Sequence, residues 1–252
     1  MSFEVPAAAY ERFIGAYSSR LALGFIEFAG VHAGQRVVEV GCGPGALTVQ
    51  LVDRVGPDLV VAVDPSTSFV EAARLRFPGV DVRAGVAEEL PDADDTFDAA
   101  LAQLVVHFMQ DPVAGLREMG RVTKPGGFVA ACVWDHNGGL GPFAAFWSAA
   151  RDLDPGVDDE SGRAGTREGQ LVELCVAAGL DAIESSMLTV HRPYESFDDW
   201  WEPFTFGIGP AGAYVADLDD AHREALRERC VAYVPAAPFE IAASAWAVRA
   251  RV

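Results

Sequence analysis

The sequence predicts an α/β protein built on a doubly wound, mostly parallel sheet of seven strands. Short apolar runs of strand length alternate with helical segments through the first half of the chain. The first of these runs stops at a cluster of glycines, as a buried parallel strand does where its crossover helix begins. The length of 252 residues, 50% of them hydrophobic, is sufficient for one such domain with a full core.

Each element of the first half follows from its local pattern. A helix over residues 10–28 is predicted first, because apolar residues recur at helical spacing and stop near Gly30. Strands and helices then alternate, and parallel strands joined by helices imply right-handed crossovers. The predicted strands are 36–40, 59–63, 80–84, 97–103 and 127–134, and the predicted helices between them are 46–54, 66–77 and 112–122.

The pattern changes after Trp134. The acidic and glycine-rich segment 152–169 predicts an exposed loop rather than a boundary between two cores. An aromatic-rich stretch over 193–238 predicts a helical cap insert that packs over the mouth of the sheet. Two further helices, 143–153 and 168–178, and two further strands, 187–192 and 239–252, complete the predicted elements.

Composition restricts the partners of the protein. The chain has 19 Lys and Arg against 37 Asp and Glu, a net charge of −18, which repels nucleic acid and anionic lipid. The sequence shows neither a secretory signal nor an apolar run long enough to span a bilayer, so we expect a cytoplasmic protein. The four cysteines form no CxxC pair and no Cys/His cluster with zinc spacing, so no metal site is expected.

The strongest local signal is the segment 37–48, VVEVGCGPGALT. A buried strand runs into Gly41, Gly43 and Gly45, and a helix follows. Glycine allows the backbone to approach a ligand closely, and the helix N-terminus offers free N–H groups to an anion. Asp64 ends the next predicted strand, at the spacing typical of a ribose-binding acid. These features alone suit any nucleoside-containing cofactor, including a nicotinamide dinucleotide.

The order of several motifs narrows this choice. Glu39 and the three glycines form an ExGxGxG pattern, and further matching segments follow at 60–74, 85–108 and 116–131. Together they resemble class I S-adenosylmethionine-dependent methyltransferases with a Rossmann-like fold, in the small-molecule branch that includes quinone-biosynthesis enzymes. The resemblance implies a single domain over 1–252. Its expected parts are an N-terminal helical lid at 1–30, a cofactor-binding core at 31–134 and the cap insert at 193–238.

The resemblance implies cofactor contacts around the glycine turn. In similar enzymes the backbone of Gly41 and Gly43 lies beside the methionine part of S-adenosylmethionine, and Glu39 helps to organise that end. Asp64 would accept hydrogen bonds from both ribose hydroxyls, which suits a carboxylate because it offers two acceptor oxygens. The alternative for Asp64 is a cap for the helix that starts near Ser66.

The adenosine contacts are expected at the ends of the second and third strands. Pro65 and Ser66 would flank the adenosine, and Ala87 and Glu88 would lie beside the adenine ring. Many relatives carry an aspartate where this chain has Val86. The backbone or Glu88 would then replace that side-chain contact, unless Glu88 only opens a solvated loop.

Three residues are expected near the reacting methyl group. Gln103 ends the fourth strand, where similar proteins contact the methionine amino group and face the acceptor. His107 follows and is a candidate general base, the alternative being a structural histidine. Tyr17 lies on the first helix and is either a lid over the cofactor or part of a core stripe.

The predicted activity is transfer of a methyl group to a small-molecule acceptor by in-line displacement. Alternatives are an NAD(P)-dependent oxidoreductase, because the glycine patterns overlap, and a non-catalytic relative that keeps the cofactor pocket. No Tyr/Lys pair or substrate-binding arginine of an oxidoreductase accompanies the glycine turn.

Overall fold

The architecture is a seven-stranded sheet with helices on both faces. The structure, a computed structural model, describes residues 11–252, so Tyr10 and the rest of 1–10 in the predicted lid lie outside the described residues. The strand order is β3-β2-β1-β4-β5-β7-β6, and only β7 runs antiparallel to its neighbours. This confirms the predicted fold class. The strands are β1 Val37–Val40, β2 Val60–Asp64, β3 Asp81–Ala84, β4 Phe97–Gln103, β5 Thr123–Trp134, β6 Asp181–Tyr194 and β7 Phe239–Arg251.

Helices connect and cover the strands. A π-helical turn at Glu11–Gly15 leads into the first helix, and short 3-10 turns occur at Pro57–Leu59, Val106–Phe108 and Glu202–Phe206. The helices are α1 Ala16–Ala29, α2 Ala46–Val55, α3 Thr67–Arg76, α4 Pro112–Val122, α5 Ala144–Leu153, α6 Gln170–Ala177, α7 Phe197–Trp201, α8 Gly209–Asp217 and α9 Asp220–Cys230.

The strand order sets the place where a ligand can bind. From β1 the chain proceeds outward to β2 and β3, then returns to β4 on the other side of β1. The crossover helices on the two sides of this switch point leave a crevice at the carboxyl ends of β1 and β4. All four residues of β1 are buried, which explains its continuous apolar run.

The boundaries differ from the prediction at β5 and β6. The KPGG segment at 124–127, which reads as a turn before the fifth strand, lies inside β5 instead. Phe97 of β4 pairs with Thr123, whereas Ala99 pairs with Phe128, so the extra residues form a bulge. The strand predicted at 187–192 is longer, because Asp181–Tyr194 pairs with nearly the whole of β7.

The carboxyl-terminal half closes the top of the sheet. Phe204 stacks on Phe146 at 4.5 Å between ring centroids and meets Phe13 edge-on at 5.4 Å. Trp200 and Trp201 are buried, so most aromatic residues of the segment 193–238 serve packing. No helix in the described range 11–252 has the length and apolar character that crossing a bilayer requires.

The loop between α5 and α6 is exposed or half-exposed at most of its positions, as the sequence predicts. Glu160 and Thr166 are exceptions, because they are only 2% and 0% exposed. Thr166 Oγ1 donates hydrogen bonds to the carbonyl oxygens of Ser161 and Arg163, at 2.9 and 2.8 Å. These contacts fold the loop back on itself and carry its middle into the interior.

Candidate active site

The glycine turn after β1 forms the floor of a cavity. The N–H groups of Gly41 and Cys42 both donate to the carbonyl oxygen of Val63, at 2.7 and 3.1 Å, which ties the turn to the end of β2. Gly41 has a φ of +74°, and a Cβ there would lie 2.3 Å from Cγ2 of Val105. Gly43 has a φ of +52° and faces open space. Left-handed backbone and close packing therefore both require glycine at Gly41.

Asp64 lies at the end of β2 and is held by backbone donors. Its Oδ2 accepts a hydrogen bond from the N–H of Gly43 and its Oδ1 from the N–H of Ser66, both at 2.8 Å. Burial raises the pKa of this carboxyl, and the two N–H donors oppose that shift. Each oxygen keeps capacity for a further donor. Ser66, whose Oγ accepts from the N–H of Phe69, is the N-cap of α3, so the alternative role of Asp64 as the cap is not what the structure shows.

Two further acceptors line the same cavity. Glu39 is 2% exposed, accepts a hydrogen bond from Thr48 Oγ1 at 2.6 Å, and has its pKa raised to about 8 by burial. Gln103 Nε2 donates to the carbonyl oxygen of Ser18 at 3.1 Å. Its buried Oε1 has no hydrogen-bond partner among residues 11–252. We call this space, lined by Ser18, Glu39, Gly41, Gly43, Asp64 and Gln103, the strand-end cavity.

A groove of about 810 Å³ continues from the strand-end cavity past the end of β3. Pro65 lines both spaces, and Val86, Ala87 and Glu88 line the groove. Glu88 Oε1 accepts hydrogen bonds from the N–H groups of Gln110 and Asp111, at 2.8 and 3.2 Å. Glu88 therefore anchors the loop before α4 while it borders the groove.

Tyr17 does not lie in the strand-end cavity, which corrects its expected role as a lid over the cofactor. Its side chain is fully buried, and its hydroxyl shares a hydrogen bond of 2.9 Å with the hydroxyl of Tyr194 on β6. The ring meets Trp134 edge-on at 6.3 Å. The helix reaches the cavity one residue later, through Ser18. The core-stripe alternative is therefore the one that fits Tyr17.

An apolar space adjoins the strand-end cavity on the side of the cap. We call it the aromatic chamber, and Leu104 and Phe108 border both spaces. The cap contributes Ile208, Gly209 and Pro210 to its lining. The chamber is lined by Phe13, Trp134, Phe143, His107, His136 and Glu160.

The chamber holds three polar side chains, of which the sequence analysis named only His107. His107 is 8% exposed, and burial lowers its pKa well below the usual value. Burial also lowers the pKa of His136 to about 4. Glu160 has its pKa raised to about 7 by burial and accepts a hydrogen bond from Trp147 Nε1 at 3.2 Å. The sequence did not point to Glu160, because this residue lies in an acidic segment whose composition predicts solvent exposure.

A separate cavity of about 560 Å³ lies at the opposite edge of the sheet. Lys124, Arg249 and Asp98 line it, near the amino ends of β4 and β5. Ligands of open α/β sheets bind at the carboxyl ends of the strands, and none of the predicted site residues lines this cavity. We therefore place the active site at the glycine turn.

Comparisons with known proteins agree with this placement. Residues 38–131 match a family described as "Methyltransferase domain". An uncharacterized methyltransferase of Mycobacterium bovis is 36% identical over 135 residues, which are 54% of this chain and 52% of that protein. A demethylmenaquinone methyltransferase of Renibacterium salmoninarum is 36% identical over 123 residues, 49% of this chain and 51% of that protein. The chain spans about half the length of these curated relatives.

The likeness in fold extends further than the likeness in sequence. A candidate methyltransferase of Bacillus halodurans aligns with a TM-score of 0.60 at 17% identity, over 91% of this chain and 97% of that one. Sequence similarity is thus concentrated in the half that carries the glycine turn, while the fold is shared over nearly the whole chain. The predicted resemblance to methyltransferases is confirmed for the segment 38–131, and the predicted fold is shared with a solved methyltransferase structure.

Proposed function

We propose that this chain, whose residues 38–131 form a methyltransferase domain, transfers the methyl group of S-adenosylmethionine to a small-molecule acceptor. The observation that carries the proposal is the position of the strand-end cavity. Its three acceptor side chains, Glu39, Asp64 and Gln103, surround the glycine turn at the switch point of the sheet, and the aromatic chamber opens beside them. No observation favours the oxidoreductase alternative.

The ribose of the cofactor is assigned to Asp64. The N–H groups of Gly43 and Ser66 fix the carboxylate at the strand ends and leave it able to accept from two vicinal hydroxyls. Hydrogen bonds to a charged group contribute about 1.5–3 kcal/mol each. Gly43 leaves open space where the cofactor backbone would approach.

The methionine end is assigned to Glu39 and Gln103. The unpartnered Oε1 of Gln103 and the buried carboxyl of Glu39 border one cavity, and both can accept hydrogen bonds from an ammonium group. A buried acceptor without a partner is costly, so a donor supplied by a ligand would stabilise it. Gly41 borders the same cavity, and its missing Cβ leaves room for the side chain of Val105, which also lines the cavity.

The adenosine is assigned to the groove beyond Pro65. Ser66 would flank it, and Ala87 and Glu88 would border the adenine ring. Since Glu88 already accepts hydrogen bonds from the N–H groups of Gln110 and Asp111, we propose that apolar contact with Ala87 and backbone groups hold the ring. Many relatives have an aspartate where this chain has Val86. A ring held by Ala87 and backbone groups does not need that acidic contact, so Val86 is compatible with adenine binding.

The reaction needs little from the protein beyond geometry. S-adenosylmethionine supplies an electrophilic methyl group on a positively charged sulfur. The chain aligns the acceptor and excludes water, and alignment of two reactants can account for about 7–11 kcal/mol of a barrier. His107 lines the chamber beside the strand-end cavity, so we propose it as the general base for an acceptor that arrives protonated.

The chamber also indicates an acceptor class. Phe13, Trp134 and Phe143 present aromatic faces and edges, which suit a planar apolar molecule. The relative from Renibacterium salmoninarum acts, by its name, on demethylmenaquinone. We propose a small aromatic or quinol-like acceptor, not nucleic acid, in agreement with the net charge of −18, and a cytoplasmic location.

Calorimetric titration tests the proposal. We expect S-adenosylmethionine and its demethylated product to bind in the micromolar range and NAD not to bind. Asp64→Ala should lower the affinity at least about tenfold, because one lost charged hydrogen bond exceeds 1.4 kcal/mol. Asp53→Ala, which removes an exposed carboxylate from α2, is the matched control and should bind as the wild type does.

Two outcomes would contradict the proposal. Binding of NAD in preference to S-adenosylmethionine would establish the oxidoreductase alternative. Tight cofactor binding with no methyl transfer to any of a panel of phenols, quinols and enols would favour a non-catalytic relative. If transfer occurs, full activity of His107→Ala would remove His107 as the base.

A further inference from the structure

Three side chains that are far apart in the sequence meet in the aromatic chamber. His107 lies in the 3-10 turn after β4, His136 follows β5, and Glu160 lies in the loop between α5 and α6. One potential ligand atom from each lies within 4.8 Å of the other two. Two imidazoles and one carboxylate form a donor set that occurs in catalytic zinc sites and in non-haem iron sites.

The hydrogen bonding of these residues leaves ligand atoms available. His107 Nδ1 is buried and has no hydrogen-bond partner in the part of the chain that the structure describes. A buried unpaired ring nitrogen costs stability unless a ligand occupies it. The N–H of Trp147 donates to Glu160 Oε2, in the manner of an outer contact that orients a metal-binding carboxylate.

The backbone at Glu160 is an independent observation. Its φ is +67°, a left-handed conformation that a non-glycine residue rarely adopts. Asp159 next to it pairs with Arg151 and accepts hydrogen bonds from the N–H and Oγ of Ser161, at 3.1 and 2.6 Å. The loop thus keeps an unfavourable conformation that turns one carboxylate out of an acidic segment into an apolar chamber. Such strain is concentrated at functional sites.

We propose that His107, His136 and Glu160 bind a divalent transition-metal ion, such as Zn²⁺, Fe²⁺ or Co²⁺, at the floor of the aromatic chamber. Among the described residues that line the chamber, Glu160 alone carries a carboxylate and most of the others are apolar. This lining disfavours Ca²⁺ and Mg²⁺, because these ions take many oxygen ligands. In a tetrahedral site the ligand atoms would be about 3.3 Å apart, so small side-chain rotations would close the cluster on an ion.

The charge of Arg163 sets a limit on the affinity. Its guanidinium carbon lies 5.2 Å from the centroid of the Phe108 ring, and its charge acts on both histidines. A nearby cation opposes a metal ion, so we expect weaker binding than in a structural zinc site.

The role of the metal rests on the proposed function, whereas its binding does not. The chamber adjoins the strand-end cavity through Leu104 and Phe108. A three-residue site leaves a position open for a hydroxyl oxygen of the acceptor, whose acidity the metal would increase. The O–H proton then goes to water, an O–C bond forms as the S–C bond breaks, and neutral S-adenosylhomocysteine leaves. His107 would then be a ligand and not the base, and the acceptor would be an alcohol, phenol or enol.

The full chain, treated with a chelator and dialysed, is titrated with Co²⁺ and with Zn²⁺. We expect one equivalent of either metal to bind. Bound Co²⁺ should show the visible absorption bands typical of a low coordination number. His136→Gln and Glu160→Gln should each weaken binding at least tenfold. His191→Gln is the matched control, because His191 is exposed and pairs with Glu240 at 2.7 Å, a histidine and carboxylate of the same kind on the surface.

Binding of S-adenosylhomocysteine by each variant separates the two proposals and reports folding. We expect it to be unchanged in His136→Gln and Glu160→Gln. A wild-type chain that binds S-adenosylhomocysteine but takes up no more metal than these variants overturns the metal site and leaves a proton-handling cluster. A chain that binds metal through these residues but not S-adenosylhomocysteine overturns the proposed function and keeps the metal site.

Discussion

The two sides of the candidate site, the strand-end cavity and the aromatic chamber, are built in different ways. The strand-end cavity draws on one continuous unit, from β1 through the glycine turn to Asp64 and Ser66, where backbone N–H groups hold the carboxylate. The aromatic chamber brings together His107, His136 and Glu160 from three separate loops. A site made by one local unit has a recognisable sequence pattern, whereas a site made by the meeting of distant loops has none.

The two sides also differ in how their polar groups are satisfied. Asp64 accepts two backbone hydrogen bonds and Glu39 accepts one from Thr48. In the chamber, by contrast, the Nδ1 atom of His107 has no partner within residues 11–252. The first arrangement is preorganised before a ligand arrives, and the second depends on the ligand for its final hydrogen bond or metal bond.

The largest expected effect comes from Gly41→Ala. The new Cβ would lie 2.3 Å from Cγ2 of Val105 and would require a φ of +74°. Left-handed strain of about 1–2 kcal/mol and overpacking of about 1–3 kcal/mol should lower the free energy of unfolding and block the cofactor. Denaturant unfolding and titration with S-adenosylhomocysteine measure the two effects.

Val105→Ala separates these two causes. In the Val105→Ala background the clash is removed, so Gly41→Ala should cost less, with the backbone strain remaining. An equal cost in both backgrounds would show that Val105 is not the obstacle.

An intermediate effect is expected from the pH dependence of Glu39. Burial raises the pKa of this carboxyl from 4.5 to about 8, so the folded state holds the proton more tightly than the unfolded state. Its contribution to stability is therefore present at low pH and is lost as pH rises from 4.5 to 8. The expected slope is at most about 1.4 kcal/mol per pH unit. Unfolding of the wild type and of Glu39→Gln, measured across this range, should give curves that diverge as pH rises. Parallel curves would show that Glu39 is not the group concerned.

The smallest effect should come from two serine N-caps, one on each side of the site. Ser66 caps α3 at the strand-end cavity, and Ser196 caps α7 in the cap segment, where its Oγ accepts from the N–H of Asp199 at 3.1 Å. Each change to alanine should lower the free energy of unfolding by about 0.5–2 kcal/mol. Only Ser66→Ala should also reduce cofactor affinity, because Ser66 borders the cavity. Equal effects on affinity would show that the two sides are coupled.

Individual residues show why sequence reasoning succeeded on one side. Asp64 could be placed from the sequence because only one crossover, from β1 through α2, separates it from the glycine turn. The length of that crossover fixes where β2 ends. The expected lid role of Tyr17 does not fit the structure for the opposite reason. Helical spacing shows which face of the helix carries a residue, but it does not show which element packs against that face. The partner, Tyr194, lies 177 positions away on β6. Glu160 was missed because burial of an acidic loop depends on contacts from elsewhere in the fold.

The sequence by itself determined the doubly wound sheet, the glycine turn and the acceptor residues that line the strand-end cavity, because these depend on local periodicity, on chain reversal and on neighbouring strand ends. Only the tertiary structure decided that Tyr17 packs on β6, that the KPGG segment is a bulge, and that His107, His136 and Glu160 meet. The physical reason is the distance along the chain over which each effect acts. Backbone hydrogen bonding and side-chain alternation depend on residues that are close in the sequence or on neighbouring strands, whereas burial depends on every segment that packs around a residue.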